Sequence, residues 1–124
     1  MDEDDIERWL QGYLRAWESN DPEDIGRLFT DEAQYHTAPH REPWTGRDEI
    51  VREWIGRKDD PGDWAFRHEV LATADDLAFV RGWTDYPHHD PNAYSNMWVI
   101  RLADDGRCSE FTEWWMDASD PSSG

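Results

Sequence analysis

The chain of 124 residues has one cysteine, Cys108, so no intrachain disulfide can form. That points to a reducing setting and predicts a cytoplasmic protein. Lysine is almost missing too. Lys58 is the single lysine among 12 basic residues, set against 29 acidic ones, and the formal net charge is −17. Without a basic patch, nucleic acid is not an expected partner, because phosphate neutralisation needs clustered cations. The same deficit argues against an anionic membrane surface. Solubility is the plain meaning of the charge; acidity combined with arginine preference fits high-salt life or a GC-rich genome equally. No apolar run approaches membrane-spanning length. The opening "MDEDDIERW" has no apolar stretch of the signal-peptide kind, so no secretion signal is expected. Gly-rich phosphate loops, nucleophile elbows and dinucleotide fingerprints are all lacking, and no cofactor is expected.

What the chain has in excess is tryptophan, nine in all. Each is large and carries one N–H that needs a partner when buried. Nine exceed what a small core uses and suggest an aromatic-lined cavity or an interface. The length predicts a single domain over residues 1–118, with "SDPSSG" ending a flexible tail at 119–124. A chain of this size buries roughly two thirds of its unfolded surface and folds without a metal or disulfide staple.

Ile6, Trp9, Leu10, Tyr13, Leu14 and Trp17 fall at helical spacing and predict a first helix over residues 3 to 18. "SNDPEDIGRLF" supplies a cap, a first-turn proline and first-turn acids for a short second helix ending near Phe29. "EAQYHTA" alternates as a strand, "PHREPWTG" reads as a loop, and "TGRDEIVREWIGR" predicts a third helix. Four strand-like segments follow, "WAFRHEVLATA", "LAFVRGWTDY", "AYSNMWVIRLA" and "RCSEFTEWWMDA". Asp75–Asp76 and "DDG" at 104–106 predict tight turns, and "PHHDPN" a longer one. The order α–α–β–α–β–β–β–β predicts an α+β domain.

That order and several residue patterns resemble the SnoaL-like group of nuclear-transport-factor-2-like domains. This group includes polyketide cyclases, ketosteroid isomerases and limonene epoxide hydrolases. The patterns are Tyr13-x-x-Ala16-Trp17, the Leu28-Phe29-x-Asp31-x-Ala33-x-Tyr35 entry to the first strand, and Pro43-x-x-Gly46-x-x-x-Ile50-x-x-x-Trp54. The ending "DDGRCSEFTEWWMD" resembles the family's last hairpin, and the likeness spans residues 6 to 118. It implies a cystatin-like cone, with three N-terminal helices on a strongly bent, mostly antiparallel sheet enclosing a pocket. It also implies a homodimer through the convex sheet face. By resemblance, the isomerases' catalytic tyrosine falls on Tyr13. Their general base falls on Thr37, which cannot serve; their oxyanion-hole acid on Trp98; and their supporting tyrosines on Phe29 and Trp54. The pocket is therefore expected without the steroid isomerase chemistry.

The implied register explains an odd alternation near the C-terminus, where one strand face carries tryptophans together with a carboxylate. It places Tyr94, Asn96, Trp98, Ile100, Phe111, Glu113 and Trp115 on the concave face, with Phe79, Arg81, Trp83 and Asp85 beside them. His36, Val80, Met97, Val99, Thr112 and Trp114 go to the convex side. Four candidates carry chemistry. Glu113, among Trp98, Trp115 and Phe111, is the first choice for general acid or base, or alternatively an anchor ion-paired with Arg81. Asp85 and Arg81 would complete a carboxylate–arginine–carboxylate set, and Tyr13 would donate to an oxyanion or carbonyl. Trp17, Trp54, Trp83, Trp98 and Trp115 would form aromatic walls, or else fill the interior. Tyr35, Thr37, His40, Asn96 and Phe111 complete the expected substrate-binding set.

His36, His40, His88, His89 and Asp90 lack metal-site spacing on a rigid element, so no metal is expected. Cys108 has no base beside it in sequence and reads as an apolar filler. The expectation is a small-molecule pocket protein. As an enzyme it would cyclise, isomerise, dehydrate or hydrolyse an apolar or aromatic metabolite by acid–base chemistry. Otherwise it would bind ligand without turnover or mediate assembly.

Overall fold

A computed structural model of the chain describes residues 2–37, 40–56, 64–86 and 93–117. Helix α1, Glu3–Ser19, starts at a reciprocal cap: the Asp2 carboxylate accepts from Asp5 N, and the Asp5 carboxylate accepts from Asp2 N. Asp5's backbone N–H holds the Asp2 carboxyl below its usual range, and Glu3, Asp4 and Asp5 face the positive helix end. The helix stops where Asn20 takes a left-handed conformation, φ 51°, and its N–H bonds Ala16 O at 2.8 Å. Ile6, Trp9, Leu10, Tyr13 and Ala16 form its buried stripe.

Helix α2, Pro22–Gly26, is capped by Asp21 and is shorter than expected. Phe29 does not end it but opens strand β1, Phe29–His36. Leu28 O makes the transition a fixed joint. It accepts from the Trp9 indole at 2.9 Å and from Cys108 N at 2.7 Å, tying α1 and the last strand to the start of β1. The "PHREPWTG" segment, expected as loop throughout, contains a two-residue strand β2, Trp44–Thr45, paired antiparallel to β1. Gly46, at φ 90°, then turns the chain into α3, Arg47–Gly56, which buries Ile50 and Trp54.

Four long strands complete the fold: β3 Ala65–Ala74, β4 Leu77–Asp85, β5 Ala93–Leu102 and β6 Cys108–Asp117. Together the strands form one six-stranded sheet in the order β2-β1-β6-β5-β4-β3. Every neighbouring pair is antiparallel except β1–β6. This is a mixed α+β domain. The expected "DD" and "DDG" turns stand where predicted, with Asp75 at φ 55° and Gly106 at φ 87°. The "PHHDPN" turn and the 119–124 tail lie outside the described residues.

The helices cover one sheet face. Trp98 and Phe111 lie at its centre, buried under Trp9 and Tyr13 of α1. On β4 the inward residues are Ala78, Val80, Gly82 and Thr84, all buried. At Gly82 the absence of a side chain has a cause: the Phe66 ring of β3 lies across it, and a Cβ there would come within 2.4 Å of that ring. Phe66 in turn stacks on Trp98, with centroids 4.9 Å apart. Gly82→Ala is expected to push Phe66 off that stack and cost about 1–3 kcal/mol, as overpacking does. Urea titration against wild type checks this; an unchanged midpoint would show that Phe66 has room to move.

Candidate acid–base site on the inner sheet face

Glu113 sits on the inner face of β6, directly opposite Trp98 of β5. Its neighbours follow from the register: Asn96 pairs with Trp115, and Tyr35 of β1 pairs with Phe111, so Asn96 and Tyr35 lie diagonally to either side. The Tyr35 hydroxyl donates to Glu113 Oε2 at 2.9 Å. Asn96 Nδ2 approaches Oε1 at 3.5 Å. Beyond Asn96, Thr84 Oγ1 donates to Asn96 Oδ1 at 2.8 Å. Beyond Tyr35, its oxygen lies 3.1 Å from the Tyr13 hydroxyl. A polar line therefore crosses β4, β5, β6, β1 and α1 through an otherwise aromatic face.

Burial makes this line consequential. Tyr35 is 5% exposed, Asn96 6% and Thr84 2%, while Glu113 is only half-buried. Burial first, then the Glu113 charge and the Tyr13 contact, push the Tyr35 phenol well above its usual range. Tyr35 is thus a neutral donor at any physiological pH. With its proton given to Glu113 Oε2, Tyr35 accepts in the Tyr13–Tyr35 contact, and the proton there comes from Tyr13. This weighs against the expected role for Tyr13, whose hydroxyl proton is engaged inside the protein.

Trp98 supplies a donor of a different kind. It is 1% exposed, and its Nε1–H is buried without a hydrogen-bond partner among the described residues. Such a group costs about 1–3 kcal/mol if left unsatisfied. Around it the interior is dense with rings: Tyr13 alone lies within 4.8 to 6.1 Å of Trp9, Trp17, Trp54, Trp98 and Phe111. Trp54 spends its own N–H on Asn20 Oδ1 at 3.3 Å. Trp17 stacks on Trp64 at 3.8 Å, and Trp115, at 57% exposure, stands at the open end of β6 against Tyr94. Thr37 lies at the bend after β1, half-buried, and His40 is exposed.

Four residues expected on the concave face are on the other one. Arg81, Trp83 and Asp85, with Phe79, point away from the helices, while Val80, expected outside, is fully buried inside. Arg81 binds Glu69 at 3.3 Å and lies 5.2 Å from the Trp83 ring, which Arg67 also covers at 4.6 Å. The carboxylate–arginine–carboxylate set is therefore not assembled, and Glu113 is not anchored by Arg81. The physical reason is the Phe66 ring, which leaves no room for a side chain at Gly82; with Gly82 inward, strand alternation sends Phe79, Arg81, Trp83 and Asp85 outward. Thr84, which completes the polar line, was missed for the same reason. The available signal was the run of small residues Ala78, Val80, Gly82 and Thr84 on alternate positions. The other outward assignments agree with the structure: His36, held by Glu110 at 3.2 Å, and Met97, Val99, Thr112 and Trp114.

Cys108 is buried, and desolvation pushes its thiol up to about 12, which suits an inert filler. Among the described residues no group of three or more His, Cys, Asp or Glu could hold a metal. His88, His89 and Asp90 lie outside those residues. Among the same residues no helix is long and apolar enough to cross a membrane. A groove of about 290 Å³ on the far side of α1, lined by Asp5, Arg8, Arg15, Asp24 and Arg27 among others, is remote from Glu113 and balances its charges internally.

A family model described as a SnoaL-like domain matches residues 10–111. The chain belongs to the SnoaL-like family. Solved structures give the SnoaL-like fold further support. An NTF2-like protein of unknown function from Burkholderia xenovorans superposes with a TM-score of 0.72 at 15% identity, covering 93% of this chain and 85% of that one. A proposed ketosteroid isomerase from Kribbella flavida gives 0.71 at 20% identity, over 98% and 84%. A proposed polyketide cyclase from Sinorhizobium meliloti gives 0.66 at 18% identity, over 86% and 94%. At these identities the likeness carries the fold alone. A search of the curated proteins matched none.

Proposed function

We propose that this SnoaL-like domain holds an apolar or aromatic small molecule against the inner sheet face and that Glu113 moves a proton on it. One observation carries the reading: a half-buried carboxylate, held by two side-chain donors, belongs to the residue paired across the strands with Trp98, whose buried indole N–H has no hydrogen-bond partner among the described residues. Glu113 accepts a proton from an acidic C–H or O–H of the ligand. The Trp98 N–H holds the oxygen on which negative charge then develops. Tyr35 stays neutral and keeps the carboxylate oriented. The proton returns from Glu113 to a different atom, which serves cyclisation, isomerisation or dehydration; delivered to or from water, it serves hydrolysis. These steps call on no cofactor. Trp17, Trp54, Phe111 and Trp115 supply the apolar surroundings. The test is Glu113→Gln, read separately for turnover and affinity against a panel of aromatic ketones and hydroxylated aromatics.

The close ring packing around Tyr13 favours a second reading, a cone whose apex is filled and whose open end binds ligand without turnover. In that case affinity falls in the same variant and no turnover exists to lose.

The outer sheet face supports a homodimer within the same proposal. Phe79, Trp83, Met97 and Val99 are half-buried there, and Trp114 is exposed. A second copy would bury this apolar strip. Sedimentation velocity is expected to give a dimer, and Trp114→Glu to weaken it by about 30-fold, the effect of a central aromatic anchor. A wild-type monomer at high micromolar concentration would remove the dimer from the proposal.

A further inference from the structure

Two tryptophans of the interior spend their N–H inside the protein: Trp9 on Leu28 O at 2.9 Å and Trp54 on Asn20 Oδ1 at 3.3 Å. Trp98 does not, and neither does Trp64. Among the described residues these two indole Nε1–H groups are the only buried side-chain polar groups without a hydrogen-bond partner. Trp64 stands just before β3. The covered residues Trp64, Phe66, His68 and Val70 alternate with the exposed Ala65, Arg67 and Glu69, so Trp64 belongs to the inner face. Ala65 pairs with Asp85, and Asp85 with Ala93. Trp64 is therefore at the end of the sheet where β4 stops and β5 starts, the end at which Trp115 is exposed. A half-buried indole there could turn its N–H to water. Instead its ring lies on Trp17, with centroids 3.8 Å apart and planes 13° from parallel, and the N–H edge is covered. A covered donor without an acceptor costs stability, so this one is placed for an acceptor that the protein does not supply. The ring contacts run on from Trp17 to Phe66 at 5.6 Å and from Phe66 to Trp98 at 4.9 Å. Both orphan donors thus belong to one aromatic wall, with Trp17 and Phe66 between them.

We propose that Trp64 is a specificity-determining donor to the ligand: the ligand is a flat aromatic molecule with two acceptor oxygens at separate positions, one held by the Trp98 N–H and the other by the Trp64 N–H nearer the open end. The inference rests on the reading of the inner face as the ligand site, but on no role of Glu113. The rings of the wall offer their faces to a flat molecule. A buried N–H adds a choice that rings alone do not make, because it is satisfied by an oxygen and left unpaired by a methyl group at the same place. The oxygen at Trp64 is away from the proton transfer and gathers no charge, so a neutral carbonyl, hydroxyl or ether oxygen meets the need. It selects and aligns the molecule.

The experiment uses two matched pairs of aryl ketones that differ only in a remote methoxy group: 2-acetylnaphthalene with 2-acetyl-6-methoxynaphthalene, and 4-acetylbiphenyl with 4-acetyl-4′-methoxybiphenyl. Dissociation constants come from NMR titration, and the Trp64 Nε1–H signal is assigned by its loss in Trp64→Phe. In at least one pair the methoxy ketone is expected to bind about tenfold more tightly, the discrimination that one neutral hydrogen bond gives, and to move the Trp64 Nε1–H signal downfield. Trp64→Phe keeps a ring against Trp17 and is expected to cut that preference below about twofold. Ketones that bind with no methoxy preference in either pair overturn the proposal and leave the pocket reading standing. A preference that survives Trp64→Phe overturns it too, as does a Trp64 N–H that keeps a bound water as its partner with and without ketone. Should the phenylalanine variant fail to fold, the wild-type Trp64 signal decides: it must move with the methoxy ketone and not with its unsubstituted partner. Binding of none of the four ketones overturns this proposal and the pocket reading together. A methoxy preference carried by Trp64, alongside an E113Q protein that loses no turnover, keeps this proposal and removes the catalytic reading.

Discussion

Glu113→Gln is expected to lower turnover by about 10²- to 10⁴-fold while the dissociation constant for the same compound changes by less than about threefold. That loss is the usual contribution of a positioned general base and corresponds to roughly 3–5 kcal/mol of barrier. The split arises because glutamine keeps the size of the side chain and can still accept the Tyr35 hydrogen bond, but cannot take a proton. Its amide nitrogen would face Asn96 Nδ2, so Asn96 must adjust, and circular dichroism should accompany the kinetics to show the fold intact. Retained turnover would remove Glu113 from the chemistry. Lost affinity, with no compound turned over by the parent protein, would make the domain a binder.

The second large effect concerns a donor rather than a base. Trp98→Phe removes the indole N–H and leaves an aromatic ring against Tyr13, Phe66 and Phe111. Two terms oppose each other in stability. The smaller ring loses packing volume, but the variant no longer buries an unsatisfied donor. The net change is expected to stay below about 2 kcal/mol by denaturant titration. Turnover is expected to fall by about 10²- to 10³-fold, the cost of removing one donor to a developing oxyanion. An unchanged rate would show that the N–H faces no reacting oxygen. A rise in stability together with full activity would mark Trp98 as packing and nothing more.

Much of this molecule was readable before its coordinates. The stripe Ile6, Trp9, Leu10, Tyr13 announced α1, because a 3.6-residue period requires an apolar face with nothing else to explain it. The faces of β5 and β6 were readable for a related reason. Asn96, Trp98, Ile100, Phe111 and Glu113 differ sharply from the residues between them, and the family register fixed which set turns inward. Strand β4 failed the same reasoning. The family register there turned Phe79, Arg81, Trp83 and Asp85 inward. Here Phe66 occupies the space above Gly82, so the small residues go in and the large ones go out. Helix α2 was drawn too long and β2 was missed, because a five-residue helix and a two-residue strand are too short for a period to register.

The sequence by itself determined the order of every element but β2, the two-faced character of the last two strands and the carboxylate among tryptophans, because each is a property of spacing along one chain. Only the tertiary structure decided which groups touch that carboxylate. Arg81, near enough in sequence pattern to be chosen, lies on the opposite face with Glu69. Tyr35, 78 residues away from Glu113, donates to it. Side chains meet across strands according to register and through the volume their neighbours leave, and both are set by the packing of Phe66, Trp98 and α1 rather than by any local pattern.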